Sequence, residues 1–178
     1  IGDDQKQHLE LARDLAAKFN HTYSPTFNIP EPIIPKQGAR IMDLAHPDTK
    51  MSKSAQSPKG TIIITEYLNI TAKKIKRALT DSGQEMIYNP THQNKAGINN
   101  LLTIYSTLTN IDIKEIESKY VNSGYGDFKK DLAEIVVEAL RPIKSKHDEF
   151  MKNKDYLNQV LKESANRVQG DAYKMLSK

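Results

Sequence analysis

A sheet needs at least two strands, and this chain offers only one run of strong strand character. That run is Thr61-Ile62-Ile63-Ile64-Thr65, β-branched throughout and bounded by Gly60. Arg40-Ile41-Met42 reads as the edge of a second, shorter strand. Between residues 25 and 38 the four prolines Pro25, Pro30, Pro32 and Pro35 exclude helix, and the intervening Ile29, Ile33 and Ile34 suggest an extended, partly buried connection. A helix is expected over residues 4–19, where Leu9, Ala12, Leu15, Ala16 and Phe19 recur with a helical period and Asp3 and Asp4 stand at the cap and first turn.

Beyond residue 70 the pattern is helical throughout. Thr71 is expected to cap Ala72 to Thr80, and Gly97 opens a stripe of Ile98, Leu101, Leu102, Tyr105 and Leu108. Asp112 and Glu115 read as a capping box before Ile113, Ile116 and Tyr120. Asp127 begins a long stripe (Phe128, Leu132, Ile135, Val136, Ala139, Leu140, Ile143, Phe150) that Pro142 is expected to kink or interrupt. A last helix, about 155–176, should turn Leu157, Leu161, Ala165, Val168, Ala172 and Leu176 inward. Residues 71–178 can therefore bury one another as an all-α bundle. Residues 1–70 hold one helix and little for it to cover. They look like the C-terminal remnant of an α/β, Rossmann-like nucleotide-binding domain, in a chain that is mainly α.

The most specific chemistry sits between these parts. Lys50-Met51-Ser52-Lys53-Ser54 places two ammonium groups three residues apart, each beside a hydroxyl, in a segment with loop signals at both ends. Ammonium point charges with hydroxyl and backbone N–H donors suit a polyphosphate. A generic Lys-x-x-Lys would be a solvated loop; this literal string favours the phosphate reading.

Charge distribution points the same way. The net charge of +4 is modest, but residues 50–77 alone carry +6, with Glu66 the single acid, and residues 141–178 carry +4. Clustered positive charge suits a polyanion better than a diffuse surplus does. The candidate cations for RNA phosphates are Lys73, Lys74, Lys76 and Arg77, with Arg141, Lys144 and Arg167 nearer the C-terminus. The chain has no cysteine, which excludes disulfides and thiolate metal sites. His8, His21, His92 and His147 show no metal-ligand spacing. No apolar run approaches the roughly 18 residues of a membrane span. The opening Ile1-Gly2-Asp3-Asp4 shows neither a starting methionine nor a basic-then-apolar leader, and reads as the beginning of an excised piece.

The 50–54 string resembles the signature loop of class I aminoacyl-tRNA synthetases. The flanking runs Gly2-Asp3-Asp4-Gln5-Lys6-Gln7-His8, Ile34-Pro35-Lys36-Gln37-Gly38-Ala39-Arg40-Ile41-Met42-Asp43-Leu44, Gly97-Ile98-Asn99-Asn100-Leu101-Leu102 and Gly124-Tyr125-Gly126-Asp127-Phe128-Lys129 narrow the likeness to the second half of the bacterial tryptophan-specific family. The resemblance implies that residues 1–70 end a catalytic domain and that 71–178 form a helical anticodon-binding domain. It implies ATP as substrate with Mg²⁺, tryptophan and tRNA(Trp) as partners, a homodimer at full length, and a cytoplasmic location. Lys50 and Lys53 would act on the β and γ phosphates with Ser52 and Ser54 assisting, and Met51 would lie beside the adenosine. Gly2, Asp3 and Asp4 match the segment that holds the ribose: Gly2 by close backbone approach, Asp3 through its backbone, Asp4 through its carboxylate. Gln5 would contact substrate, and the backbone of Ile41 would lie near adenine.

Ala55 departs from the family, which often has an acid there, and His46-Pro47 replaces small or acidic residues. The family's His-rich phosphate motif and the acid that accepts the indole N–H do not occur in this sequence, so the piece alone is expected to be inactive. Three rival readings stay open: a free-standing helical RNA-binding module, another nucleotidyltransferase of the same broad fold, and a tyrosine-specific relative.

Overall fold

The computed structural model describes residues 1–35, 38, 40–54, 57–83 and 85–177, and the side chain of Asp4 also lies outside the description. The fold is mainly α. Its helices are α1 (Lys6–Thr22), α2 (Leu68–Lys76), α3 (Ala96–Thr109), α4 (Ile113–Lys119), α5 (Tyr125–Lys152) and α6 (Lys154–Leu176). Among the described residues there is no strand; the only pairing is one antiparallel bridge between Met42 and Lys50. The β-prone run 61–65 therefore corrects to irregular chain that turns at Ile64 and Thr65, where the Glu66 N–H donates to the Ile63 carbonyl at 3.0 Å. It finds no neighbour to pair with, and Ile63 and Ile64 stay exposed. The Rossmann-like α/β remnant expected of residues 1–70 is not visible among the described residues.

Two compact units divide the molecule: Ile1, Gln5–Ile33 and Ser145–Lys178 form one, and Gly2–Asp4 with Ile34–Lys144 the other. The second unit holds the hydrophobic core. Helix α3 is its axis, because Gly97, Ile98, Asn100, Leu101, Leu102, Ile104, Tyr105 and Ser106 are all buried and cover most of its circumference. From α5, Phe128 enters that core fully buried, stacked on Tyr105 with ring centroids 5.8 Å apart and edge-on to Tyr120 at 5.2 Å. Gly97 is where α3 passes closest to the chain beyond α2. A Cβ there would stand 2.1 Å from the Leu79 carbonyl oxygen, which is backbone and cannot swing away.

Helix boundaries follow local chemistry, with corrections. Asn110 closes α3 in the left-handed conformation, φ 59°, which asparagine tolerates. Asp112 caps α4 by accepting the Lys114 N–H at 2.9 Å. Thr71 is not the cap of α2. The helix starts three residues earlier at Leu68 and stops at Lys76 rather than Thr80. The Thr71 hydroxyl instead donates to Glu66 at 2.9 Å from a fully buried position inside the helix. Asp3 lies in a short 3-10 turn, Asp3–Gln5, and α1 begins only at Lys6, with no side-chain cap on Gln5. Pro142 does not interrupt α5. The carbonyl it deprives of a partner belongs to exposed Glu138, where water can replace the lost bond.

A half-buried polar knot ties Asp81 to Lys95, just before α3, and to Tyr125 at the start of α5. The Tyr125 hydroxyl donates to Asp81 at 2.9 Å, and Lys95 reaches Asp81 at 3.3 Å and the Tyr125 oxygen at 3.1 Å. Burial works against a charge on Asp81, yet the bonds from Tyr125, the Gly83 N–H and Lys95 hold its carboxyl below the usual range.

In the first unit, Asn20 organises the turn after α1. Its Oδ1 accepts from the N–H groups of Thr26 and Phe27, each at 2.9 Å, and its Nδ2 donates to the Phe27 carbonyl at 2.7 Å. Phe19 then meets Tyr23 and Phe27 with ring centroids 4.8 and 4.9 Å apart. Neither α1 nor α6 has a buried residue. The expected inward stripe of α6 is thus corrected, since Leu161, Val168 and Leu176 all lie exposed.

Candidate functional site

The signature segment leaves and rejoins the second unit through fixed anchors. Met51 N–H donates to the Ile41 carbonyl at 3.0 Å, Asp43 N–H to Thr49 at 2.9 Å, and Leu44 N–H to Gly60 at 2.9 Å. The turn from 43 to 46 is built on buried Asp43, whose Oδ1 accepts from the N–H groups of Ala45 at 2.8 Å and His46 at 2.9 Å. Gly60 is required against it, since a Cβ at that position would lie 1.6 Å from Asp43 Oδ1. From α3, the buried side chain of Asn100 forks onto Met42. Its Oδ1 accepts the Met42 N–H at 2.9 Å and its Nδ2 donates to the Met42 carbonyl at 2.8 Å.

Above these anchors opens a cavity of about 380 Å³. It is lined by Gly2, Gly38, Arg40, Ile41, Lys50, Met51, Ser52, Lys53, Thr61 and Ile62. The structure thus brings together six of the residues singled out in the sequence: Gly2, Ile41, Lys50, Met51, Ser52 and Lys53. Ser54 stands next to them, its hydroxyl 2.9 Å from that of Ser52. Asp3 and Gln5 are exposed and do not line the cavity. The Asp4 side chain and Ala55 lie outside the described residues, and exposed His46 contributes its backbone to the turn.

Sequence reasoning passed over Arg40, Gly38, Thr61 and Ile62. Gly38 carried a readable signal, as a glycine between a proline-ended stretch and an apolar run. Its φ of 66° is left-handed, and a Cβ would meet the Thr107 side chain at 2.8 Å. Thr61 gave none, because its role is a hydrogen bond from its hydroxyl to the Ser52 carbonyl at 3.1 Å.

The electrostatics of the lining are one-sided. Arg40, Lys50 and Lys53 contribute three cations, and no described lining residue is an acid. Such a wall favours a multiply charged anion. The described lining offers no carboxylate to a metal, and among the described residues no three of His, Cys, Asp and Glu come together as a metal group. The residues present do not fit a protein-held Mg²⁺.

The cations proposed for RNA lie in differing settings. Lys73, Lys76 and Arg77 are exposed on or just after α2. Lys74 differs from expectation: its side chain is only 11 % exposed and bonds inward to Glu66 at 2.6 Å. Arg141 pairs with Glu138 at 2.6 Å, Lys144 lies 5.6 Å over the Tyr67 ring, and Arg167 sits exposed on α6. No helix of the described residues is long and apolar enough to cross a membrane.

The cavity and its Lys-Met-Ser-Lys-Ser segment lie within the part of the chain that a class I tRNA synthetase model covers. The family model for class I tRNA synthetases (W and Y) matches residues 1–141, and the chain belongs to that family. Its curated relatives include the tryptophan–tRNA ligases of Bacillus anthracis (49 % identical over 178 residues, all of this chain and 53 % of the relative) and Bacillus subtilis (50 %, with 53 % of the relative covered). Among solved structures, the tryptophanyl-tRNA synthetase of Mycoplasma pneumoniae superimposes with a TM-score of 0.84 at 30 % identity, over 99 % of this chain and 53 % of that one. That of Campylobacter jejuni, complexed with ADP and tryptophan, gives 0.66 at 28 % identity, over 99 % of this chain and 53 % of that one. The chain spans about half the length of the curated relatives it matches.

Proposed function

We propose that this chain is the C-terminal half of a tryptophan–tRNA ligase, and that its cavity holds the phosphates of ATP. The observation that carries the reading is the convergence of Lys50, Lys53 and Arg40 beside Ser52 on one cavity whose described lining includes no acid. In that reaction the tryptophan carboxylate attacks the α-phosphate, releasing pyrophosphate, and the tRNA then takes the amino acid. The role of this chain is positional and electrostatic. Lys50 and Lys53 meet charge on the β and γ phosphates, Arg40 adds a planar fork of donors, and Gly2 lets the ribose approach the backbone. Asp3, Asp4 and Gln5 complete the ribose side. Met51 and the Ile41 backbone flank the base, and Ser52 and Ser54 supply hydroxyl donors. Mg²⁺ belongs to the nucleotide as its counter-ion.

On this reading residues 1–70 are the end of a Rossmann-like catalytic domain and 71–178 an anticodon-side helical domain. The whole enzyme is a cytoplasmic homodimer acting on tryptophan and tRNA(Trp). The test is a titration with MgATP followed at the backbone amides of residues 46–54. Saturable protection of these amides is expected, while tryptophan-dependent ATP–pyrophosphate exchange by the 178 residues alone is expected to be negligible, since the opposing phosphate motif is absent from the sequence. Unchanged amides at millimolar MgATP would sink the nucleotide reading.

RNA affinity is proposed to rest on Lys73, Lys76 and Arg77, with Arg141, Lys144 and Arg167 as further candidates. Neutralising the first three together should weaken binding to all tRNAs alike and flatten the salt dependence by roughly 2 to 3 in log–log slope, because each phosphate contact contributes about 0.7 to 0.9. A slope identical to wild type would show that this face does not meet RNA.

A further inference from the structure

Within the expected RNA-facing cluster, one lysine does something else. Lys74 Nζ lies 2.6 Å from Glu66 Oε2 and 2.8 Å from the Thr61 carbonyl oxygen. The other carboxylate oxygen, Glu66 Oε1, accepts from the Thr71 hydroxyl at 2.9 Å. Both charged side chains are only 11 % exposed, and Thr71 and Thr61 are buried. Removing an ammonium from water is costly unless it is paired and hydrogen-bonded, and here it is both. Thr61 in turn lines the polycationic cavity, and its hydroxyl donates to the carbonyl of Ser52, the middle residue of the signature loop, at 3.1 Å. A single residue is therefore held from behind by α2 through its backbone and holds the loop in front through its side chain.

We infer that Lys74 is a positioning residue for the nucleotide loop, acting through Glu66 and Thr61 to fix where Ser52 stands. The inference rests on the proposed nucleotide site but has a reading independent of it. Charge-assisted bonds are stronger than neutral ones, so the ion pair pins the Thr61 carbonyl more firmly than a neutral donor would. With that carbonyl fixed, the Thr61 hydroxyl has one place from which to reach Ser52. The Lys53 amide, in the same peptide group as the Ser52 carbonyl, is set with it. Lys74 bonds to the cavity lining at Thr61 and is not itself among the described lining residues.

The deciding experiment compares Thr61→Val with Thr61→Ser in this chain. Valine keeps the shape and removes the hydroxyl, whereas serine keeps the hydroxyl. Amide hydrogen exchange is read across residues 50–54, above all at the Met51 N–H bonded to Ile41, with α3 amides as internal reference. Thr61→Val is expected to speed exchange in the loop roughly five- to tenfold, the scale of one hydrogen bond, with α3 unchanged and Thr61→Ser like wild type. Lys74→Met, or Lys74→Gln if the methionine variant does not fold, should reproduce the valine result, and wild-type loop exchange in that folded variant overturns the role of the lysine. MgATP affinity should fall roughly tenfold with valine and be retained with serine, as misplacement of a binding group requires. Equal loop exchange in valine and serine variants overturns the clamp, and altered exchange at unchanged MgATP affinity overturns the positioning role. If wild type fails to bind MgATP, the nucleotide reading falls, while the exchange data still decide the clamp.

Discussion

Alanine at Lys50 or at Lys53 is expected to slow tryptophanyl-adenylate formation by roughly 10²- to 10³-fold, in a protein carrying this chain at the full length of its relatives. Both side chains line a cavity that holds three cations and no described acid. Each deletion therefore removes one of the three preorganised charges of the described lining. The charge on the phosphates grows as the α-phosphorus bond to pyrophosphate breaks, so the loss belongs to the chemical step. Tryptophan affinity should barely move. Single-turnover kinetics separate the two, and a defect confined to tryptophan binding would refute the assigned role. The double variant should fall short of the product of the single losses, because groups that clamp one phosphate chain act as a unit.

The second large effect is structural. Phe128→Ala should destabilise the α3–α5 core by about 3–5 kcal/mol, the range for deleting a fully buried aromatic ring. Phe128 is 0 % exposed between Tyr105 and Tyr120, whose hydroxyls are held by Lys119 at 3.1 Å and Asp131 at 2.6 Å and so resist collapse of the rings into the void. At about 2–4 °C per kcal/mol for a chain of this size, the melting temperature should drop by about 10 °C. Leu161→Ala on α6 is the control. That side chain is 67 % exposed, and its removal should change stability by no more than about 0.5 kcal/mol. Equal shifts in the two variants would show that the core has been wrongly located.

The contrast between Phe128 and Leu161 also shows what the sequence could and could not disclose. Both sit on stripes of helical period, and periodicity identifies a face that can be buried without saying what buries it. For α3 and α5 the covering partners lie within the chain, so the stripe from Phe128 to Val136 reads correctly. On α6, Leu161 and Val168 stay exposed among the described residues. The same logic explains the run at 61–64, since strand character is realised only beside another strand. Thr71 misled for a different reason. A threonine before a helical stretch is a good cap by local rules, but Glu66 five residues earlier offered its hydroxyl a stronger acceptor.

The candidate site was more legible than the fold around it. Lys50, Ser52 and Lys53 are recognisable because charge and hydroxyl at fixed spacing state a chemistry directly. Gly2 and Ile41 followed only by resemblance. Arg40 and Thr61 had no pattern of their own and became visible when folding set them on the same cavity wall.

The fork from Asn100 onto Met42 has a consequence for the ageing of the protein. Its hold on the base of the loop depends on one face of the side chain giving a proton and the other receiving one. Hydrolysis of that amide to a carboxylate exchanges a single nitrogen for oxygen and leaves volume and shape almost intact. It would nevertheless set an anionic oxygen against the Met42 carbonyl at a site only 5 % exposed, where two acceptors repel with little water to screen them. A chemical change invisible to any measure of size would thus loosen the loop from its helix while the hydrophobic core stayed whole.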